Sequence, residues 1–244
     1  MYNFFCDTKV DGCFLLSNND CNHVANVLRM KIGDKILISY QNTSNLCEII
    51  ELSPQIVRAR IVEENFQDTS LAINLVLMQG LPKSDKMELI IQKAVELGVN
   101  EIIPVETSRS IVKLLGNKKD SKITRWQSIA ESGAKQSKRT YIPTVSPVLS
   151  FTDALKVAKD FDLFILPYES KNGMHDTKMV LEKIKPKMKI GVLIGPEGGF
   201  SPEEIEKAQA MGANIISLGK RILRTETAAI TTLSMLMLHA EMNF

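Results

Sequence analysis

After residue 70 the sequence alternates short apolar runs with amphipathic segments of helical period, and few folds are open to a chain with that rhythm. LAINLVLMQG (71–80), EIIPVE (101–106), FDLFILPYE (161–169), KIGVLIG (189–195) and NIISLG (214–219) read as strands, the first of a type buried on both faces. SDKMELIIQKAVELG (84–98), KITRWQSIAESGAKQ (122–136), FTDALKVAKD (151–160), MVLEKIK (179–185), SPEEIEKAQAMG (201–212) and TETAAITTLSMLMLHAEM (225–242) read as helices. In the first helix Asp85-x-x-Glu88 predicts a capping box and Gly98 a stop. Such alternation predicts an α/β domain with a mostly parallel sheet covered on both faces.

The first 68 residues have a different rhythm. KILISYQ and LCEIIEL flank NTSN, a hairpin signal. QIVRARIVEE sets Ile56, Val57, Ala59 and Ile61 against Arg58 and Arg60, as a half-buried strand does. NDCNHVANVLRMKIGD reads as one short helix ended at Gly33. Short strands with one helix predict a small β-barrel over 1–68, joined through the polar NFQDTS (65–70) to an α/β domain over 69–244.

Composition narrows the function. The 244 residues are 44% hydrophobic and 24% charged, so the chain is globular. A net charge of +2 leaves any nucleic-acid contact to a local basic face. No apolar run is long enough to span a bilayer, and MYNFFCDTKV lacks a signal-peptide layout; the expectation is a soluble cytoplasmic protein with no membrane partner. Cys6, Cys13, Cys21 and Cys47 form no C-x-x-C and read as reduced thiols. His23, His175 and His239 lie far apart, and nothing has metal-ligand spacing, so no metal is expected.

The chemistry concentrates in two loops. IGPEGGFSPEEIEKAQ (194–209) is a glycine-rich strand-to-helix turn, the usual place for a phosphate. It lacks the lysine of a Walker A loop, since Phe200 follows Gly198 and Gly199, and its glycines miss the dinucleotide-binding spacing. Ser201, Pro202 and Glu204 form a complete helix start, so that helix end is not waiting for an anion. A neutral or cationic ligand bound by backbone, or simply a tight turn, accounts for the loop. The second loop, SLGKRILRTETAAI (217–230), follows the next strand and carries Lys220, Arg221 and Arg224 beside Glu226, with Thr225 or Thr227 as the expected N-cap. Two such loops at the ends of successive parallel strands predict a ligand crevice there.

Together, IGPEGGFSPEEI and LGKRILRTETAAI resemble the ribosomal RNA small subunit methyltransferase E (RsmE) family, of the SPOUT class. LPKSDKMELIIQKAVELGVNEIIPVETSRS, AESGAKQSKRTYIP and HVANVLRMKIGD resemble further stretches of the same family, so the likeness covers almost the whole chain. One departure is Ser108, where many relatives have glutamate. The resemblance implies a SPOUT α/β domain with a deep trefoil knot, a PUA-like β-barrel ahead of it, and a homodimer. It implies S-adenosyl-L-methionine as cofactor. The activity implied is methylation of N3 of one uridine in 16S ribosomal RNA, with free RNA or the assembled small ribosomal subunit as substrate. A non-catalytic RNA-binding factor on the same fold is the alternative.

On this resemblance the cofactor meets Leu166, Pro167, Tyr168 and Glu169; then Ile194, Gly195, Pro196, Glu197 and Gly198; then Leu218, Gly219, Ile222, Leu223, Arg224 and Thr227. Methyl transfer to a ring nitrogen needs its proton removed and the resulting charge stabilised. Arg224 is the candidate for charge stabilisation; Glu226 and Glu197 are proton acceptors, cofactor orienters or partners of neighbouring cations. Arg109, Arg125, Gln136, Lys138 and Arg139, with Arg29 and Lys31 on the barrel, are the RNA-facing candidates; a solvated basic helix face accounts for residues 118–139 equally well.

Overall fold

The computed structural model describes residues 1–112, 116–168 and 173–244, without the side chains of residues 117 and 118. Its backbone separates into two units, Met1–Ser70 with Ser132–Ile142 and Leu71–Glu131 with Pro143–Phe244.

In the first unit six strands form one sheet: β1 (Asn3–Phe5), β2 (Lys9–Val10), β3 (Cys13–Leu15), β4 (Lys35–Tyr40), β5 (Thr43–Leu52) and β6 (Val57–Gln67), in the order β1-β4-β5-β6-β3-β2. Phe4, Phe14, Ile36, Ile38, Ile49, Val57 and Ala59 point into its core. The β4–β5 hairpin turns at Gln41 and Asn42, with φ of 48° and 63°, so of NTSN only the first residue is in the turn and the rest opens β5. Two successive left-handed residues match the twist of the flanking strands, and Thr43 is already paired with Tyr40. The short helix α1 (Asn18–Asn22) is capped by Ser17 and continues as a π-helical turn, His23–Val27. Arg29, at φ 51°, turns the chain away, so the predicted stop at Gly33 comes four residues too late. Cys6, Cys21 and Cys47 are free and buried; burial pushes their thiols up, that of Cys47 to about 12.

Residues 132–142, assigned by sequence to the second domain, cluster with the first unit. Asn3 Nδ2 and Ser39 Oγ both donate to the Arg139 carbonyl, at 3.0 and 3.1 Å, and Lys135 Nζ meets Asp20 Oδ1 at 2.9 Å. Local sequence could not reveal bonds between residues about a hundred positions apart.

The second unit holds β7 (Asn74–Gly80), β8 (Glu101–Glu106), β9 (Thr144–Val145), β10 (Leu149–Ser150), β11 (Leu163–Pro167), β12 (Lys189–Ile194) and β13 (Asn214–Ile216). Their order is β10-β8-β7-β12-β11-β13, with β9 also beside β8, and every ladder is parallel. The helices are α2 (Lys86–Glu96), α3 (Asn117–Gln136), α4 (Phe151–Val157), α5 (His175–Leu181), α6 (Pro202–Ala210) and α7 (Thr225–Asn243). Val76, Met78, Leu193 and Phe164 pack with residues of α4 and α6. Leu75 and Leu77, which alternate with them along β7, are just as buried, so both sheet faces are covered. On α2 the capping box fails: Asp85 makes no side-chain cap bond, and Glu88 forms a two-point ion pair with Arg125 at 2.7 and 2.9 Å. Gly98 does end the turn after α2, at φ 92°. No helix among the described residues is long and apolar enough to cross a membrane.

Candidate functional site

Three strands of the second unit, β11, β12 and β13, end beside one another. The segments that follow them line a cavity of about 410 Å³. Pro167 and Tyr168 come from the first, residues 194–197, 199 and 200 from the second, and residues 217–224 from the third; Thr225 and Ala228 of α7 close it. The C-terminal edge of a parallel sheet collects its connecting loops, which is why ligands settle there. Most walls are apolar: Pro167, Ile194, Pro196, Phe200, Leu218, Ile222 and Leu223. Among the described residues, charge enters through Glu197, Lys220, Arg221 and Arg224.

The loop after β12 is held open by its own bonding. Gly199 donates its N–H to the Pro196 carbonyl at 2.9 Å and sits at φ 65°, a region that favours glycine. Ser201 and Glu204 form a full capping box, and Glu204 Oε1 also accepts from the Ser108 N–H at 2.8 Å. The buried Glu204 carboxylate thus accepts one donor of the helix start, the Ser201 N–H, and one of the 107–110 turn, while the Ser201 hydroxyl takes the Glu204 N–H, which leaves the α6 terminus closed to anions. The departure at Ser108 is accommodated through its backbone.

Thr225, expected as an N-cap, instead ties the cavity together. Arg224 occupies the N-cap position without a side-chain cap bond. Thr225 Oγ1 donates to the Gly195 carbonyl at 2.6 Å and accepts from the fully buried Gln79 Nε2 at 2.9 Å. Gln79, at the end of β7, has no sequence signature, since a polar residue closing an apolar strand looks like a strand end. Replacing Thr225 with valine removes the partner of Gly195 O and one of the two bonds of Gln79 Nε2, which keeps the Gly80 carbonyl. The expected cost is about 1–3 kcal/mol of stability, read by denaturant unfolding; an unchanged midpoint would mean that the two groups find other partners.

Glu197 is drawn towards Lys86, whose ammonium lies 3.0 Å from Glu197 Oε1 and 3.3 Å from Glu226 Oε2. The Lys83 N–H also points at both Glu197 oxygens, at 3.2 and 3.3 Å. Burial pushes the Glu197 carboxyl up, but the Lys86 ammonium and these N–H contacts outweigh it, so the group sits below the usual carboxylate range. Glu197, with Glu226 second, raises Lys86 in turn. Among the described residues, Lys220, Arg221 and Arg224 make no ion pair.

Several expected contacts lie elsewhere. Leu166 is fully buried in β11 opposite Ile215 and belongs to the core. Gly198 turns away from the cavity: its carbonyl accepts from Arg109 Nη1 at 3.1 Å, and a side chain there would press on Arg109 Cβ at 3.0 Å. Thr227 is exposed on α7, outside the cavity walls. Glu169 lies outside the described residues. Of the RNA-facing candidates, Arg29, Lys31, Gln136 and Lys138 are exposed on the first unit, while Arg109 and Arg125 are exposed on the second and already engaged by Gly198 and Glu88. Arg139 is a correction. It is 2% exposed, its guanidinium stacks 4.6 Å from the Tyr141 ring and donates to that hydroxyl, and burial lowers its pKa. A basic run says nothing about which of its members the chain folds inward. Among the described residues no three His, Cys, Asp or Glu groups are placed to hold a metal ion.

Residues 69–237 match a family model described as an RNA methyltransferase domain, and residues 16–62 match an RNA methyltransferase PUA domain. The ribosomal RNA small subunit methyltransferase E of Bacillus subtilis (strain 168) is 36% identical over 233 residues, 94% of this chain and 91% of that protein. The protein of the same name from Mesomycoplasma hyopneumoniae (strain 232) is 36% identical over 235 residues, covering 96% and 98%. A crystal structure of the Neisseria gonorrhoeae protein of that name, bound to S-adenosyl methionine, aligns with a TM-score of 0.83 at 28% identity over 98% of this chain and 97% of that one.

Proposed function

The chain belongs to the ribosomal RNA small subunit methyltransferase E family, and from that membership we propose how its cavity works and which atom it methylates. It is an S-adenosylmethionine-dependent methyltransferase acting on ribosomal RNA of the small subunit. The finer target we propose is N3 of a uridine.

The observation that carries this reading is the cavity at the ends of β11, β12 and β13. Its volume of about 410 Å³ falls within the range of small-molecule sites. Its walls suit the methyl donor: apolar surfaces for a purine, an α6 terminus already closed by its own capping box, and both charge signs for an amino-acid tail. Pro167, Tyr168, Ile194, Gly195, Pro196, Leu218, Gly219, Ile222 and Leu223 would hold the group. When bound, S-adenosylmethionine supplies an electrophilic methyl on a cationic sulfur.

The protein's own part is positioning and charge. Uridine N3 attacks only once its proton has left, and the negative charge then spreads onto O2 and O4. Arg224, a permanent cation at the cavity wall with no ion pair among the described residues, is placed to receive that charge. Glu197, whose carboxyl the Lys86 ammonium and nearby N–H groups hold below the usual range, serves as an ionised orienting group. Glu226, outside the cavity walls, anchors the head of α7.

The same reading extends to assembly. The chain leaves β13 at the sheet edge, yet Thr225 is bonded at the ends of β12 and β7, so the 217–224 loop doubles back across the strand ends, as a threaded knot requires. Leu238, Met242 and Phe244 leave apolar surface on α7, which supports a homodimer. Arg29, Lys31, Gln136 and Lys138 serve as RNA contacts.

Calorimetry with S-adenosylmethionine, with ATP and NAD as controls, tests the site. Methyl incorporation into free 16S ribosomal RNA and into assembled small subunits, followed by mapping of the modified base, tests the target. Selective binding of S-adenosylmethionine and a single modified uridine N3 are expected. Folded protein that ignores S-adenosylmethionine would overturn the reading.

A further inference from the structure

We infer that Lys86 is a positioning residue of the methyl-donor site: its ammonium clasps Glu197 of the cavity wall to Glu226 at the head of α7, and so sets the 194–200 loop before any ligand arrives. The inference rests on reading the cavity as the S-adenosylmethionine site.

Lys86 opens α2 and does not line the cavity, so it touches a ligand only through Glu197. Its Nζ lies 3.0 Å from Glu197 Oε1 and 3.3 Å from Glu226 Oε2. The two carboxylates keep only 26% and 15% of their side chains exposed. Glu226 Oε2 is buried and makes no hydrogen bond, so its closest compensation is the Lys86 charge. Two poorly hydrated carboxylates converging on one point repel unless a positive charge or a proton lies between them. The other charges near Glu197 are Lys220, Arg221 and Arg224, which line the same cavity without pairing to it. Lys83 contributes a backbone N–H. No cation apart from Lys86 bridges the pair among the described residues.

The clasp is one of two ties. Thr225, the neighbour of Glu226, is bonded to Gly195, so the loop and the head of α7 are joined at successive helix residues. Loss of Lys86 should therefore loosen the loop without unfolding the unit.

A proton can replace an ammonium between two carboxylates, and this separates the clasp from mere packing. In Lys86→Met the pair is repelled apart at high pH, where both groups are ionised. As pH falls the pair takes up a shared proton and the loop regains its set. Measured by calorimetry, the S-adenosylmethionine affinity of Lys86→Met relative to wild type at the same pH is expected to be about tenfold lower at pH ~8 and to recover towards pH ~6. Taking the ratio cancels any titration of the ligand itself. Lys86→Arg should bind like wild type. The double variant Lys86→Met/Glu226→Gln, with no repulsion left, should bind more tightly than Lys86→Met at pH ~8. Without ligand, the amides of residues 195–200 should exchange hydrogen faster in Lys86→Met.

A Lys86→Met deficit equal at every pH, or no deficit, overturns the clasp. So does failure of the double variant to regain affinity, which also decides the matter if Lys86→Met alone is too unstable to measure. Failure of wild type to bind S-adenosylmethionine is a separate outcome: it removes the methyl-donor reading itself.

Discussion

Arg224→Ala lowers methyl transfer by about 10²–10³-fold while S-adenosylmethionine affinity stays within a few-fold of wild type. Arg224 holds the N-cap position of α7 at φ −67° and ψ 155°, a conformation alanine adopts freely, and its side chain makes no cap bond. Truncation therefore leaves the helix start intact. What disappears is a cation at a cavity wall whose other surfaces are mostly apolar, a donor aimed at where charge develops. Because the charge it meets arises only as N3 loses its proton, the loss falls on the chemical step and not on ground-state binding. Single-turnover transfer to small-subunit RNA, alongside calorimetry, reads the two separately. Wild-type turnover would remove Arg224 from the mechanism; a large loss of cofactor affinity would make it a binding residue.

The second large effect is expected at a residue that never touches the ligand. Gly80 ends β7, and a Cβ built there falls 2.7 Å from Pro196 Cδ, 2.8 Å from Pro196 N and 3.1 Å from Gly195 C. Those are atoms of the loop backbone and of a rigid ring, so none can swing aside as the tip of a flexible side chain would. Gly80→Ala must displace the 194–200 loop or strain the sheet beneath it. A cost of about 1–3 kcal/mol in stability is expected, with S-adenosylmethionine affinity falling by more than about tenfold. Thermal unfolding and calorimetry test both. A folded variant with unchanged affinity would mean that the loop tolerates the shift, and that close packing of β7 against Pro196 does not set the site.

Sequence and structure part company in a consistent way. The capping box of α6 was legible because Ser201 and Glu204 are one helical turn apart and satisfy each other. The same pattern at Asp85 and Glu88 failed because Arg125, 37 residues further along, offered Glu88 a charged partner. Pro167, Tyr168, Ile194, Gly195, Pro196, Glu197, Leu218, Gly219, Ile222, Leu223 and Arg224 all line the cavity, since each ends or follows a strand whose C-terminal end was visible in the hydrophobic pattern. Leu166 and Gly198 fell outside it through a one-residue difference in facing, which no pattern of glycines and leucines encodes. Arg139 was read as one of a basic run; Tyr141 and its own buried carbonyl hold it inward.

The sequence by itself determined the local terms: the period of each helix and strand, the alternation that imposes a parallel sheet, the closed helix start at Ser201, and the pair of loops that line the cavity. Each depends on residues within a turn or two of one another. Tertiary structure alone decided that Gln79 and Thr225 lock the Gly195 carbonyl and that Gly80 makes room for Pro196. It also decided that Lys86 stands between Glu197 and Glu226. Those relations join residues from 30 to 146 positions apart. They exist only once the sheet brings the ends of β7 and β12 side by side, and their strength comes from burial, which no short stretch of sequence carries.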